Sequence, residues 1–599
     1  MVGRMRRRAL PAVVTVALAA LTLFVFLQVR EHSFIGLDDT RDILGSPQVR
    51  AGLSLEGARW AFSVGHPPYW HPLTTLSHML DVELFGLDAG AHLSVNVALH
   101  LTNTLLFLLL IVGTTGRWWT GALAAALFAL HPLRVESVAW AAERKDMLSG
   151  LFWMTALLAA VRHARRPSLP RLALIAALFG LGLLAKPVLV VLPLAVLAVE
   201  FWPLGRLRAD GWRLPVLEKV PLALLALPVG LITWLVVRQT TFAERSFPPG
   251  ERLANAAVSA VAYLGQTIWP ANLAIFYPHP ASVGRGTPGW EAAGAAILLA
   301  AISVLAWRLR RSRPWLLAGW AWYLAVLAPT LGIVQNWEQA RADRFTYLPL
   351  AGIFWALAEE VRLFAGRSAR TRRSVAALAT AAVLTLAVVA RHQTALWRDP
   401  ETLFRHALAV TDDNWLAASQ LGVVLSRKGR DDEAERLLRQ SLALRPLSPI
   451  ARNNLAIVLD RTGRGEEAAR EYAEAIREDP GYAEARVNLG TLLLRKGMTA
   501  AAVAEYRGAL AVREDYPPAH FNLGLALEAM GNWQEALEHY EGALRAGMRT
   551  AIVQERLGLL LERQGRATEA AGHLEEALRL NPGDDEASAA LQRLRLVSP

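Results

Sequence analysis

Residues 483–516 read AEARVNLGTLLLRKGMTAAAVAEYRGALAVREDY and form one unit of a pattern that repeats every 34 residues through the C-terminal third of the chain. One small residue recurs at that spacing, as Gly422, Ala456, Gly490, Gly524 and Gly558. A glycine follows each of these positions by seven residues, and an alanine follows by twelve. Such fixed offsets predict antiparallel helix pairs that bury their apolar faces by stacking on one another.

This pattern resembles the tetratricopeptide repeat, in which small residues lie where two helices touch. We predict a tetratricopeptide superhelix over residues 398–599, with five full repeats that start near residue 415. Residues 399–413 resemble the second helix of a further, partial repeat. The final stretch, EASAALQRLRLVSP (586–599), is predicted to cap the array, since terminal repeats need a polar outer face.

Three asparagines, Asn454, Asn488 and Asn522, occupy equivalent positions two residues before the recurring small residue. The 34-residue period places them on successive first helices, which line the concave face of such an array. A carboxamide both donates and accepts hydrogen bonds, so a ladder of them suits a peptide backbone of any sequence. We predict that they bind an acceptor peptide; the alternative is that they satisfy polar groups of the array itself.

The first 397 residues are apolar and basic, whereas the repeats are acidic. The chain is 53% hydrophobic with mean hydropathy +0.28, which is too apolar for one soluble domain. Residues 1–397 carry 37 Lys and Arg against 21 Asp and Glu, and residues 398–599 carry 26 against 31. No basic stripe with interleaved aromatics suggests a nucleic-acid partner. The absence of cysteine excludes disulfides and thiolate metal sites.

About eleven membrane spans are predicted in residues 1–397. The first lies in residues 1–32, where a basic lead precedes about 21 apolar residues; we expect a retained helix rather than a cleaved signal. The others are predicted near residues 93–112, 118–131, 147–162, 170–184, 187–202, 218–238, 290–307, 315–333, 346–364 and 374–391. The sequence therefore predicts an all-α fold, a polytopic membrane domain followed by a solenoid.

Basic clusters orient these spans. RHARRPSLPR (162–171), GRLRADGWR (205–213), RLRRSRP (308–314) and GRSARTRR (366–373) all fall on the cytoplasmic side if residues 254–270 do not cross. This arrangement puts the N-terminus in the cytoplasm and the repeats outside. It also puts outside the loops that hold most of the unusual polar residues.

Acids and cations cluster in those outside loops. Asp38 and Asp39 follow the first span, and a partly desolvated carboxylate beside another acid suits a general base. Lys186 stands alone among apolar residues, and Arg344 lies at the outside mouth of a later span; both suit a phosphate. Ordinary acidic loops, snorkelling and salt-bridged loops are the alternatives. Further candidates are His71, His131, Glu136, Glu143, Arg144, Asp146 and Tyr347.

Five histidines fall within a short segment, as His66, His71, His78, His92 and His100. None has the H-E-x-x-H spacing of a metalloprotease. We therefore expect structural or substrate-contacting histidines, no metal and no tightly bound cofactor.

Several stretches together resemble one family. They are GLDDTRDI (36–43), YWHPLTTLSHMLDVELFGLDAGAHLSVNVALHLTNTLLF (69–107), HPLRVESVAWAAERKDMLSGLFW (131–153), LAKPVLVVLP (184–193), ADRFTYLPLAG (342–352) and the repeats. In this order the chain resembles the transmembrane and tetratricopeptide-repeat O-mannosyltransferases and their bacterial relatives, within the GT-C superfamily of glycosyltransferases that use lipid-phosphate sugars.

The resemblance implies an enzyme that moves a sugar from a polyprenyl phosphate, of undecaprenyl or dolichyl type, to Ser/Thr hydroxyls of extracytoplasmic proteins. It implies a general base in the first outside loop, at Asp38 or Asp39, and a single inverting displacement. It also implies cations that offset charge on the leaving phosphate, for which Arg144, Lys186 and Arg344 are candidates.

One departure concerns Lys186, which is followed by Pro187 where eukaryotic members tend to have an acid. The lack of cysteine and the Ala/Arg/Leu-rich composition favour a bacterial inner-membrane protein with an undecaprenyl-like donor. Two other functions fit the sequence. One is a non-catalytic membrane-anchored scaffold for envelope complexes, and the other is a ligase that transfers a preassembled oligosaccharide. A ligase predicts a large late outside loop, and the loop at 334–345 is short.

Overall fold

The apolar stretches and the repeats both form α-helices. The computed structural model describes residues 2–64, 70–209, 211–238, 247–333 and 338–597, so His66 lies outside the described part. The described residues contain thirty α-helices and one two-stranded sheet, which confirms the predicted all-α class. The chain divides into two compact units, Met1–Ala417 and Ala418–Pro599. The domain boundary was predicted after residue 397, so the predicted partial repeat lies in the first unit.

The first unit contains nineteen complete α-helices among its described residues, with short 3-10 segments between some of them and a π-helical segment at Thr40–Leu44. They are α1 (Val2–Phe26), α2 (Pro47–Arg50), α3 (Leu55–Phe62), α4 (Pro72–Phe85), α5 (Ala89–Thr115), α6 (Trp118–Leu130), α7 (Val135–Ala139), α8 (Arg144–Arg165), α9 (Leu169–Ala185), α10 (Leu192–Phe201), α11 (Arg206–Ala209), α12 (Arg213–Leu217), α13 (Val220–Arg238), α14 (Pro249–Ile268), α15 (Gly289–Arg308), α16 (Pro314–Leu327), α17 (Pro349–Ala365), α18 (Ala369–Ala395) and α19 (Pro400–Val410).

The array consists of consecutive helix pairs. Its helices are α20 (Trp415–Arg427), α21 (Asp431–Leu444), α22 (Pro449–Arg461), α23 (Gly465–Glu478), α24 (Ala483–Arg495), α25 (Thr499–Val512), α26 (Pro517–Ala529), α27 (Trp533–Arg545), α28 (Ala551–Arg563), α29 (Ala567–Leu580) and α30 (Asp585–Val597). A side-chain methyl built on Gly524 would lie 2.6 Å from the Tyr540 ring, so only a small residue lets α26 approach α27. The recurring small residue of the tetratricopeptide pattern is therefore the one that lets the two helices of a pair pack closely.

Six described helices are long and apolar enough to cross a bilayer. They are Pro11–Glu31, Ala89–Thr115, Ala141–Arg165, Arg213–Val236, Gly289–Arg308 and Ala369–Ala395. The pair Trp118–Leu130 and Pro132–Ala139 bends by 61° and would make a seventh as one broken span. Pro132 explains the break, because a residue that precedes proline is disfavoured in helical geometry.

The prediction of about eleven spans is higher than the described helices support. A crossing helix needs roughly 20 apolar residues. The segments predicted at 170–184 and 187–202 form the shorter apolar helices Leu169–Ala185 and Pro187–Phe201. The helices α16 and α17 also stop short, with 14 and 17 residues. The predicted segments at 170–184 and 187–202 are themselves shorter than a crossing helix, so counting every apolar segment as a span made the predicted number too high.

The segment predicted not to cross, 254–270, lies in α14, which is not among the six spanning helices. Its polar face holds a short antiparallel ribbon, β1 (Tyr277–Pro278) with β2 (Gln339–Arg341). Asn255 and Ser259 donate to the carbonyl of Ala340 at 2.9 and 3.0 Å. This ribbon fixes the start of the segment that carries Arg344.

The helix α5 organises the region after the broken span. Its first turn is capped by Asp88, whose carboxylate accepts from the Ala91 N–H at 2.6 Å. Further along, the buried Asn96 amide donates to the carbonyls of Trp140 at 2.9 Å and Val138 at 3.3 Å. These bonds satisfy backbone groups that the helix break at 139–141 leaves unpaired. The start of α8 is thereby fixed in place.

Candidate functional site

The two aspartates after the first span differ in their surroundings. Asp39 is fully buried, and its carboxylate accepts from the backbone N–H of Ile35 at 2.9 Å and from that of Ala142 at 2.8 Å. Both oxygens are therefore occupied by the protein's own backbone. Asp39 ties the loop after α1 to the turn before α8, which is a positioning function.

Asp38 is the accessible member of the pair. Its side chain is 24% exposed, with Arg41 Nη2 at 3.1 Å and Lys145 Nζ at 3.5 Å. The two cations come from different chain segments, one from the loop itself and one from the first turn of α8. Asp38 is thus a partly solvated carboxylate held beside two positive charges.

Three cations converge on Glu143, which is buried. Lys145 Nζ and Arg344 Nε each lie 3.2 Å from its Oε1, and Lys186 Nζ lies 3.7 Å from its Oε2. We call Lys145, Lys186 and Arg344 the cation cluster. These cations come from three separate parts of the chain, and the fold brings them together around Glu143. Two of them, Lys186 and Arg344, are among the three cations predicted for phosphate binding.

The remaining predicted acids orient this cluster. Asp146 forms an ion pair with Lys186 and also accepts from the Ser137 hydroxyl at 3.1 Å. Glu136 forms an ion pair with Arg344 and accepts from its backbone N–H at 2.8 Å. Arg344 also lies over the Trp140 ring, with its guanidinium carbon 5.3 Å from the ring centre. Each cation therefore has a carboxylate that fixes its position.

A pocket of about 290 Å³ opens next to these residues. It lies between the loop after α1, the end of α3 and the start of α4, and Arg41, Asp42, His71 and Lys145 are among the residues that line it. Asp38 is not part of the wall but contacts the two cations that are. Burial lowers the pKa of His71 well below its usual value, and Lys145 and Lys186 lower it further, so this imidazole is neutral at pH 7.

Arg144, the third predicted phosphate ligand, does not join the cation cluster. Its fully buried guanidinium donates to Ser77 Oγ and Asp81 Oδ2, each at 2.7 Å, and to the His92 carbonyl at 2.6 Å. Consecutive residues on a helix point about 100° apart, so Arg144 faces α4 and α5 while Lys145 faces the pocket. This geometry makes Arg144 a residue that joins three helices.

His131 and Tyr347 also lie in the interior. His131 Nδ1 accepts from the Leu133 N–H at 3.3 Å, and Nε2 lies 3.0 Å from the Thr267 carbonyl. The Tyr347 hydroxyl lies 2.9 Å from His100 Nδ1 and accepts from the Asn103 amide at 3.1 Å. Both side chains form hydrogen bonds within the core, which indicates a structural role for them.

In the array, the three predicted asparagines are half-buried. The Asn488 amide donates to Asn453 Oδ1 at 2.9 Å, and the Asn522 amide lies 3.4 Å from Thr491 Oγ1. These bonds run between neighbouring repeats. They leave the carbonyl oxygens of the ladder to accept from another group, so peptide binding by Asn454, Asn488 and Asn522 stays a prediction.

Sequence reasoning missed Arg41 and Lys145 as site residues. Both lie next to predicted ones, Arg41 within DDTRD (38–42) and Lys145 within ERKD (143–146). The available signal was the alternation of charge in these two stretches, since an acid on each side of a cation suggests a mutual ion-pair network.

The buried carboxylate of Asp39 gives a pH prediction. Burial raises the pKa of Asp39 to about 7, although its two backbone N–H donors lower it. The native state then retains this proton between about pH 4 and pH 7 while the unfolded state has lost it. The contribution of Asp39 to the free energy of unfolding is therefore largest below pH 4, decreases as the pH rises to about 7, and is constant above that. The total change is about 4 kcal/mol.

We expect Asp39→Asn to remove that slope, although it also removes one of the two backbone hydrogen bonds, because an amide nitrogen cannot accept from an N–H. The measurement is the thermal unfolding midpoint of the full chain from pH 4 to pH 8. Asp88→Asn is the matched control, because Asn caps a helix as well as Asp does. A difference between Asp39→Asn and wild type that does not change with pH would contradict this assignment.

Comparison with known proteins agrees with the observed architecture. Residues 66–240 match the family model described as dolichyl-phosphate-mannose-protein mannosyltransferase. A tetratricopeptide repeat model matches four overlapping segments between residues 419 and 585. The chain is 37% identical over 107 residues to protein O-mannosyl-transferase tmtc2 of Xenopus laevis, which is 18% of this chain and 13% of that protein.

A second relative, protein O-mannosyl-transferase Tmtc1 of Drosophila melanogaster, is 31% identical over 201 residues, which is 32% of this chain and 23% of the relative. The chain thus spans less than a quarter of either relative. Among solved structures, the tetratricopeptide protein YrrB is 19% identical and covers 32% of this chain and 97% of its own, with a TM-score of 0.27, which is too low to support any argument.

The family match and the apolar helices together indicate a membrane protein. The matched residues 66–240 include the pocket wall at His71 and two members of the cation cluster, Lys145 and Lys186. Residues 66–240 are therefore similar to the dolichyl-phosphate-mannose-protein mannosyltransferases, residues 419–585 are similar to tetratricopeptide repeats, and part of the chain is similar to the protein O-mannosyl-transferases.

Proposed function

We propose that this protein is a membrane glycosyltransferase that moves a sugar from a polyprenyl-phosphate donor to Ser/Thr hydroxyls of extracytoplasmic proteins. The observation that carries the proposal is the contact of Asp38 with Lys145, at 3.5 Å, next to the pocket. A carboxylate that accepts a proton and a cation that faces a phosphate are thereby held within one site. The names of the relatives supply the reaction class.

In the proposed reaction, Asp38 accepts the proton of the acceptor hydroxyl. The hydroxyl oxygen then attacks the anomeric carbon, the bond from that carbon to the phosphate oxygen breaks, and the lipid phosphate leaves with the electron pair. One displacement inverts the anomeric centre. The negative charge that grows on the phosphate is stabilised by fixed positive charges, and such preorganised electrostatics supply large rate effects in water-poor sites.

Asp38 is a better candidate base than Asp39. A general base needs a free oxygen within hydrogen-bond reach of the proton that it takes. Both Asp39 oxygens accept backbone hydrogen bonds, and its side chain is fully buried. Asp38 is partly exposed, and its ion-pair partners among the described residues are Arg41 and Lys145, so an acceptor hydroxyl can approach it.

We assign phosphate binding to the cation cluster of Lys145, Lys186 and Arg344, with Arg41 at the pocket wall. Their carboxylate partners hold them in place before the donor arrives, which lowers the reorganisation needed during reaction. The pocket volume of about 290 Å³ is near the lower limit for small-molecule sites and suits a phosphate with one sugar. The lipid tail would extend along the adjacent apolar helices.

We further propose the orientation that the basic clusters favour, with the N-terminus in the cytoplasm and the pocket and repeats outside a bacterial inner membrane. The array then lies on the side of the extracytoplasmic acceptor. The ladder of Asn454, Asn488 and Asn522 is its proposed acceptor-binding element, because carboxamides recognise extended backbone without regard to sequence. The donor lipid serves as co-substrate, and the reaction uses no tightly bound cofactor.

Reconstituted protein tests the proposal. The full chain in lipid vesicles is incubated with polyprenyl phosphates that carry radiolabelled sugars and with a pool of extracytoplasmic proteins. We expect label on protein that alkaline β-elimination releases, as for O-linked Ser/Thr. A scaffold would give no labelled protein from any donor, and a ligase would label protein only from a lipid-linked oligosaccharide.

A further inference from the structure

Two histidines and an aspartate form a buried cluster behind the pocket. His78 and Asp81 lie one turn apart on α4, and His92 lies on α5 after the sharp turn at Gly86. One ligating atom of each side chain lies within 4.8 Å of the others, and all three residues are buried. The two imidazoles are nearly parallel, at 15°, with ring centres 5.7 Å apart.

The hydrogen bonds of His92 show which of its nitrogens is available. Nε2 lies 3.2 Å from the Gly86 carbonyl, which can only accept, so Nε2 carries the proton. Nδ1 then has a lone pair, and it faces Asp81 Oδ2 at 3.5 Å, another acceptor. Within the described residues Nδ1 has no hydrogen-bond donor. Two acceptors that face each other in a buried site call for a positive group between them.

His78 repeats this observation. It is 2% exposed, and neither of its ring nitrogens has a hydrogen-bond partner among the described residues. A neutral imidazole has one nitrogen with a lone pair, which can bind a metal ion. Buried polar groups without partners are rare in folded proteins.

We propose that His78, Asp81 and His92 form a binding site for one divalent transition-metal ion of the zinc type. Neutral imidazole nitrogens with one carboxylate oxygen are donors that such ions prefer, whereas Mg²⁺ and Ca²⁺ prefer all-oxygen sets. This proposal departs from the expectation that no metal is bound, which was based on the absence of an H-E-x-x-H motif. The spacing here is instead H-x-x-D on one helix and a histidine on the next.

The surroundings supply a second layer of hydrogen bonds. The Gly86 carbonyl fixes the tautomer and ring orientation of His92, as backbone carbonyls do for metal-bound histidines. Arg144 donates to Asp81 Oδ2 at 2.7 Å and holds the carboxylate in position. A carboxylate offers lone pairs on both oxygens, so Asp81 can accept from Arg144 and bind an ion at once.

The ion would fasten α4 to α5 directly behind the pocket. His78 is itself part of the pocket wall, along with Thr74 and Thr75 on the same helix. We therefore assign the ion a structural function, and its binding does not depend on whether the protein transfers sugar. Metal content can be measured without any donor or acceptor.

The test uses untagged full-length protein in detergent, stripped with a chelator and dialysed against equimolar Zn²⁺ or Co²⁺. We expect about one ion per chain to be retained, and Co²⁺ to give visible absorption of a low-symmetry site with nitrogen ligands. Retention of no ion by wild-type protein, or of Co²⁺ with only the spectrum of the hydrated ion, would overturn the proposal. This arm needs no variant to fold.

The second arm compares variants. His78→Asn and His92→Asn are each expected to weaken Zn²⁺ binding by at least about 10-fold to 100-fold. His392→Asn changes an exposed histidine on α18 and is expected to bind as wild type does. Elution at the wild-type volume in gel filtration checks that the variants fold. Equal retention by wild type and both cluster variants would assign the ion to another place.

Discussion

Replacing Asp38 by Asn is expected to lower the rate of sugar transfer by about 10²-fold to 10⁴-fold, the usual contribution of a general base. The substitution keeps the size of the side chain but replaces the basic carboxylate with an amide, which does not take up the proton of the acceptor hydroxyl. Donor binding should persist, because the cation cluster is intact. The measurement is label transferred per folded molecule, together with donor retained on the vesicles, in wild type and variant.

Asp88→Asn is the matched control for Asp38→Asn, as the same chemical change at an exposed helix cap, and it should transfer at the wild-type rate. Wild-type transfer by Asp38→Asn would contradict the assignment. One alternative is specific: Asp42 lines the pocket directly, so loss of transfer in Asp42→Asn with activity retained in Asp38→Asn would move the base to Asp42.

Replacing Lys145 by Met is expected to lower transfer by about 10²-fold to 10³-fold, comparable with the loss of one oxyanion donor in other enzymes. Lys145 contacts both Asp38 and Glu143, so it links the proposed base to the cation cluster. Its loss removes a charge that faces the leaving phosphate. Lys145→Arg retains that charge and should recover part of the rate, although its planar head fits the site differently.

The control for Lys145→Met must separate catalysis from stability, since removing one partner of a buried ion pair destabilises a protein by about 3–5 kcal/mol. Lys219 is a second buried lysine, 2.9 Å from Glu200 in a separate ion network. Lys219→Met should lower the unfolding midpoint to a similar extent but leave transfer per folded molecule near wild type. Equal loss of transfer in both variants would show that Lys145 acts through folding alone.

The sequence predicts the array well because its contacts are local. Each recurring small residue meets a bulky residue about half a repeat later, as Gly490 meets Tyr506 and Gly524 meets Tyr540. Helix contacts at fixed short separations appear in the sequence as a period. The number of membrane spans was predicted less well, because several apolar segments, such as those at 170–184 and 187–202, form helices shorter than a crossing needs.

The site was predictable by residue type but not in its geometry. Lys186 and Arg344 were candidates, yet their convergence on Glu143 depends on packing between segments far apart in the chain. Arg144 was a candidate for phosphate binding through its position in a stretch that resembles the glycosyltransferase family. Helical geometry instead turns it toward Asp81, and only the structure shows that direction.

The His78, Asp81 and His92 cluster shows the same limit. Two of its members have a visible helical spacing, but the third lies on the next helix, and the lone-pair direction of His92 depends on one carbonyl at Gly86. The direction of the His92 lone pair cannot be predicted from a pattern of residue types. Hydrogen-bond partners of buried histidines are therefore more informative than their spacing in this region.

The central claim is that the protein displaces lipid phosphate from an anomeric carbon by a Ser/Thr hydroxyl. The most direct measurement is the anomeric configuration and attachment site of the sugar on acceptor protein after incubation of the reconstituted full chain with a donor of defined anomer. We predict sugar on Ser or Thr with the configuration opposite to that of the donor. Retained configuration, or no sugar on protein from any polyprenyl-phosphate donor, would contradict the claim.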